Sequence, residues 1–169
     1  MMGRVRRRRI AVFVFASAAA VFAASTLGAE RVRAAQCAPY ARDISGIDLY
    51  GNAWTWWSSA DGQYARGHRP ALGAALVFKK SRAMPAGHVA VVTALVNDRV
   101  IKVSHANWAG KGARRGRIQK DIEVVDESPK NDWSLVRVWY SPIHDFGIKT
   151  YPVYGFIYPE ELGGSNGNS

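Results

Sequence analysis

The chain has 169 residues, the length of one domain, which argues against a two-domain enzyme. Hydrophobic residues make up 48% and charged residues 21%, close to the globular average, so neither a disordered chain nor a polytopic membrane protein fits. The net charge of +10 raises nucleic acid as a partner, but residues 1–34 hold seven arginines and one glutamate, leaving 16 basic against 12 acidic side chains in the rest. Most of the basicity therefore belongs to the start of the chain and not to the folded part.

That start reads as an export signal. Arg4 and Arg6 to Arg9 precede an uncharged, Ala- and Val-rich run from Ile10 to Ala29, the basic and apolar regions of a signal peptide. Residues 1–34 are thus expected to be a signal peptide cleaved after Ala29 or Ala34, or an uncleaved anchor, because the run approaches the roughly 20 residues that cross a bilayer. In either case the arginines stay in the cytoplasm and the domain is exported across the bacterial inner membrane, to be periplasmic or secreted. The arginine run matches a twin-arginine signal poorly, and Gln36 before Cys37 stands where a lipoprotein needs a small residue. The membrane is met only through this segment.

Cys37 is the one cysteine. In an oxidising compartment cysteines pair, so a lone thiol is buried and inert, joined to another chain, or kept for its reactivity. Pro39, with Ala38, Tyr40 and Ala41, suits the first turn of a helix opening at Cys37. The positive end of that helix favours the thiolate. Asn52 to Ala60, carrying Trp54, Trp56 and Trp57, reads as a second helix.

After Pro70 the pattern turns to strands. Ala75 to Lys79, His88 to Leu95, Arg99 to His105, Ile118 to Asp126 and Ser134 to Tyr140 are rich in Val, Ile and aromatics, and Gly, Pro, Asn and Asp separate them. Short consecutive strands predict an antiparallel sheet, and helices before sheet predict an α+β domain. His88 opens the apolar strand after Gly87, a residue that admits another chain closely. His105 and Asn107, two apart, share a face. A hairpin turning at Asn97 and Asp98 sets His88 alongside both, so either His105 or Asn107 can orient its imidazole. His68 and His144 sit in unpatterned loops and read as ordinary polar side chains. The loop Lys111 to Arg117, with Lys120 beyond, is a cationic run that reads as a solvated loop or a contact for an anionic polymer. The tail 161–169 is Gly-, Ser- and Asn-rich and is expected to be flexible.

Gln36-Cys37-Ala38-Pro39-Tyr40-Ala41-Arg42, then Gly51-Asn52-Ala53 with Trp56-Trp57, then Gly87-His88-Val89-Ala90-Val91-Val92 and His105-Ala106-Asn107-Trp108, together resemble the CHAP family, the cysteine, histidine-dependent amidohydrolases and peptidases of the papain-like superfamily. The resemblance implies a papain-like α+β fold over 35–160, with N-terminal helices packed on an antiparallel sheet. It makes Cys37 the nucleophile and His88 the base. Many members place a carboxylate, followed two residues on by Asn, where this chain has His105 and Asn107. A related family of cell-wall peptidases uses histidine there. Acidic residues that bind calcium in some members are replaced by Ala38, Pro39 and Tyr40, so no metal and no cofactor is implied.

With export, the resemblance implies hydrolysis of peptidoglycan amide bonds, as an N-acetylmuramoyl-L-alanine amidase or a peptide endopeptidase. Trp56, Trp57 and Trp108 are assigned to the substrate groove, with core packing the alternative for the first two. The partner is peptidoglycan or a wall peptide, and nucleic acid is not expected. The alternatives are a catalytically silent wall-binding or partner-binding domain and, as a lesser one, an amidase acting on a small exported peptide or protein.

Overall fold

The computed structural model describes residues 35–108 and 115–161. The expected signal or anchor segment 1–34, the cationic loop from 111 to 114 and the tail from 162 onward lie outside these residues.

Helix α1 spans Cys37–Ser45 and ends at Gly46, whose left-handed φ of 73° lets its N–H close on the Arg42 carbonyl. Its inward face is Ala38 and Ala41, both buried, and these small side chains let the helix lie close to the sheet. The expected second helix is shorter than its sequence suggests: a 3-10 turn, Ala53–Thr55, runs into α2, Trp56–Ser59.

The eight strands among the described residues are β1 Tyr64–Gly67, β2 Ala75–Phe78, β3 His88–Asn97, β4 Val100–Ala106, β5 Ile118–Asp126, β6 Leu135–Tyr140, β7 Asp145–Phe146 and β8 Tyr151–Glu161. They run in the order β1-β8-β2-β3-β4-β5-β6-β7, and every pairing is antiparallel. An additional pairing of β8 with β6, Val136 opposite Tyr151, closes β8-β2-β3-β4-β5-β6 into a barrel. The fold is α+β and antiparallel as expected, but the sheet closes into a barrel, and the expected N-terminal helices reduce to α1 and one short turn of helix. Glu161, the first residue of the segment read as tail, belongs to β8 and pairs with Tyr64.

β2 and the first half of β3 are buried on both faces. Ala75, Val77, Val89 and Val91 face α1 and Trp56, whereas Leu76, Phe78, Ala90 and Val92 join Ile101, Val103 and Phe156 on the other side. This two-sided burial explains the unbroken apolar runs in the sequence. The β3–β4 hairpin keeps the expected mirror register at Val91↔Ser104 and Val92↔Val103. Its tip is displaced by one residue: Asn97 pairs with Val100, and Asp98 and Arg99 make the turn. The Asn97 side chain accepts the Arg99 N–H at 2.9 Å, which caps that turn, and two bulges absorb the offset.

Gly87 places the start of β3. Its φ is 68°, and a Cβ there would lie 2.8 Å from the backbone nitrogen of Trp54 and 3.0 Å from the Phe78 carbonyl oxygen. Trp54 N–H in turn donates to the Ala86 carbonyl at 3.2 Å. Gly87→Ala therefore combines a left-handed alanine with a backbone clash, and is expected to cost about 2–4 kcal/mol. Calorimetry should show a midpoint lowered by roughly 6–12 °C. An unchanged midpoint would mean that the close approach is not rigid.

Candidate active site

Cys37 is the first residue of α1 and is half-buried. Its sulfur meets the sheet at the amide of Val89, the residue after His88. Burial pushes the thiol above its ordinary value, and the backbone N–H groups of Val89, Ala38 and Cys37 itself pull the other way without prevailing. The expectation of a ready thiolate is thus corrected, because desolvation outweighs the helix terminus. Alkylation of Cys37 by iodoacetamide is expected to be slow at pH 7 and to climb about tenfold per pH unit until above pH 9. A half-maximal rate below pH 7 would show a preformed thiolate instead.

His88 is almost fully buried, on the barrel-interior side of β3, where it meets Phe78 of β2 edge-on at 5.5 Å. Its Nε2 lies 3.1 Å from Nδ1 of His105, which is also buried. Burial and then the neighbouring His105 hold His88 well below the ordinary imidazole range, and burial pushes His105 down to about 4. Both rings are therefore neutral at pH 7. No hydrogen bond joins the Cys37 sulfur to the His88 ring, a common state of catalytic pairs before substrate tightens them.

The two nitrogens in contact must differ, one donating and one accepting. If His88 Nε2 carries the proton, its Nδ1 is a free base and is the nitrogen left for the thiol. His105 then accepts at Nδ1 and carries its own proton on Nε2, a buried atom without a hydrogen-bond partner among the described residues.

Asn107 does not touch this pair. β4 ends at Ala106, and Asn107 has a left-handed φ of 60°, which turns it off the strand face that spacing assigned to it. Its Nδ2 donates to Gln36 Oε1 at 2.8 Å, and its Oδ1 accepts the Gly116 N–H at 2.9 Å. Of the two sequence candidates for holding His88, only His105 is in contact.

The tryptophans separate. Trp56 is fully buried in the core beneath α1, so its assignment to the groove is corrected to a packing role. Trp57 is half-buried and stacks on Tyr154 of β8 at 6.0 Å, with the Arg66 guanidinium over its ring. Trp108 is half-buried and covers both histidines, 4.7 Å from His88 and stacked on His105 at 5.4 Å, with Tyr151 at 4.9 Å. That aromatic cover helps keep water from the imidazoles and contributes to their depressed pKa values. Sequence reasoning missed Phe78, Tyr151 and Gln36 here. The signal for Gln36 was its place before the helix: as N-cap it makes no capping bond, and its side chain turns instead to Asn107.

A family model described as CHAP domain matches residues 28–107, which include Cys37, His88, His105 and Asn107. Residues 28–107 belong to the CHAP domain family. CHAP domains are generally peptidoglycan hydrolase domains, typically amidohydrolases or peptidases. In this CHAP domain the β4 residue against the β3 histidine is a second histidine and not the commoner carboxylate. No curated protein matches the chain.

Proposed function

We propose that the chain is an exported cysteine amidohydrolase or peptidase that cleaves peptidoglycan amide bonds through a thioester on Cys37, as an N-acetylmuramoyl-L-alanine amidase or a peptide endopeptidase. The observation that carries this reading is the thiol at the start of α1, set against the amide next to His88, while His105 holds the far nitrogen of that ring. The basic and apolar segment before residue 35 supports export to the compartment that holds the wall.

In this reading the Cys37 sulfur attacks the amide carbonyl as its proton passes to His88 Nδ1. The imidazolium, its Nε2–H donated to His105, then protonates the leaving amine from Nδ1, and a thioester remains. Water attacks the thioester while Nδ1 takes its proton, and the expelled sulfur regains a proton from the same nitrogen. The backbone N–H of Cys37, among the first-turn donors that have no intrahelical partner, holds the oxyanion. A His105 pKa of about 4 serves this cycle, because the ring stays a neutral acceptor while His88 is charged.

Incubation with purified sacculi tests the reading. Soluble fragments and new amine ends identified by mass spectrometry are the expected result. Sedimentation with sacculi without any release would identify a silent wall-binding domain instead.

A further inference from the structure

We propose that Gln119 of β5 is a positioning residue that supplies the acceptor for the Nε2–H of His105 and so fixes the tautomer of the His88–His105 pair. Its effect on turnover rests on the hydrolase reading above, whereas the tautomer itself does not.

Two buried polar atoms without a hydrogen-bond partner among the described residues, Nε2 of His105 and Oε1 of Gln119, belong to residues that face each other across β4 and β5. β3 and β5 flank β4 on opposite sides. His105 Nδ1 meets His88 of β3 at 3.1 Å, so the other edge of the ring, which carries Nε2, is turned to the β5 side. Directly opposed residues of an antiparallel pair hold their Cβ atoms about 4.5–5.5 Å apart on one face, within reach of a glutamine side chain.

A bulge brings Gln119 to that face. Ile122, opposite Val103, packs toward the barrel interior, and strict alternation from there would turn Lys120 inward and Gln119 outward. The register shifts between Val103 and His105, where Asp121 takes a left-handed φ of 54° and its carboxylate accepts the Thr93 hydroxyl at 2.9 Å. The extra residue reverses the alternation, leaving Ile118 and Lys120 exposed and Gln119 partly buried opposite His105.

The terminal torsion of glutamine is broad, so turning Oε1 onto the ring costs less than leaving two buried polar atoms unpaired. The result is a directed chain. Gln119 accepts from His105 Nε2–H, His105 Nδ1 accepts from His88 Nε2–H, and His88 Nδ1 stays free to act as base. Without an acceptor at position 119, His105 moves its proton to Nδ1, because a buried N–H is harder to leave unpaired than a lone pair. His88 must then accept at Nε2 and carry its proton on Nδ1, toward the thiol. The other titratable groups around the pair are Cys37 from α1 and Tyr151 of β8 behind Trp108, and among the described residues no carboxylate bears on either ring.

Long-range proton–nitrogen NMR spectra of the protein labelled with ¹⁵N-histidine test this at pH 7. The His105 proton is expected on Nε2 in the wild-type protein and on Nδ1 in Gln119→Met, which matches the length of glutamine without its acceptor. With sacculus fragments as substrate, Gln119→Met is expected to lose about 10–100-fold in kcat/KM while circular dichroism shows an intact fold. Gln119→Glu keeps an acceptor, so it should retain Nε2–H and more activity than Gln119→Met. Its negative charge favours the imidazolium and should move the acid limb of kcat/KM to higher pH, a shift that a merely structural residue would not produce. A His105 proton on Nδ1 in the wild-type protein, an unchanged tautomer in folded Gln119→Met, or equal losses in the two variants would each overturn the proposal. Absence of Cys37-dependent turnover would remove the hydrolase reading, and the spectra would still decide whether Gln119 sets the tautomer.

Discussion

Cys37→Ala is expected to lower hydrolysis of sacculi at least about 10³-fold while leaving the fold intact. The loss is large because the sulfur forms the bond that defines the intermediate, and the remaining donors have no acyl group to transfer. The fold should be indifferent. Alanine occupies the same helix start, Ala38 and Ala41 supply the packing face of α1, and the sulfur is only half-buried. Circular dichroism and the thermal midpoint check the second half of this expectation, and amine release checks the first. Turnover that persists in a folded Cys37→Ala protein would assign the chemistry to another group.

His105→Ala is expected to cost about 10²–10⁴-fold in kcat/KM, although His105 never touches substrate in this account. Without it the buried Nε2 of His88 loses its fixed acceptor, and a water in the vacated space does not hold one tautomer. The proton then favours Nδ1, which leaves the ring as a donor toward the thiol it must deprotonate. His105→Asn separates the chemistry from the packing, because its Oδ1 falls near the place of the lost Nδ1 and restores an acceptor, so it should retain more activity than His105→Ala. The pH profile adds a sign. His88 must be neutral to act as base, and burial followed by His105 holds its pKa well below 6.5. The acid limb of kcat/KM should therefore lie below pH 6.5 in the wild-type protein. It should move to higher pH in His105→Ala, where water enters beneath Trp108 and part of the desolvation is relieved.

The histidine pair was legible because it depends on local signals. Gly87 before an apolar run fixed the start of β3, and mirror counting about the hairpin brought His105 beside His88 even though the turn itself is displaced by one residue. Asn107 was misplaced because period-two spacing holds only while the chain stays in the strand, and the left-handed turn after Ala106 carries no mark beyond an Asn, a residue that tolerates it. β8 was missed for the opposite reason. Pro152, Gly155 and Pro159 read as breakers, yet Pro152 lies near the start of the strand and Pro159 in the irregular part of its pairing with β1. The closed barrel was invisible without that strand. In a helix of four residues, periodicity cannot tell Trp56, which is buried, from Trp57, which is not. The state of the Cys37 thiol was misjudged because the sequence shows the helix terminus that favours the anion, whereas the desolvation that opposes it belongs to the packed structure.

The most direct measurement is the intact mass of the protein, acid-quenched during turnover of sacculus fragments. A species heavier by one acyl fragment is expected, mapped after digestion to the peptide that contains Cys37, sensitive to hydroxylamine and missing from Cys37→Ala. Release of new amines with no such adduct on Cys37 under rapid quench, or an adduct on a different side chain, would contradict it.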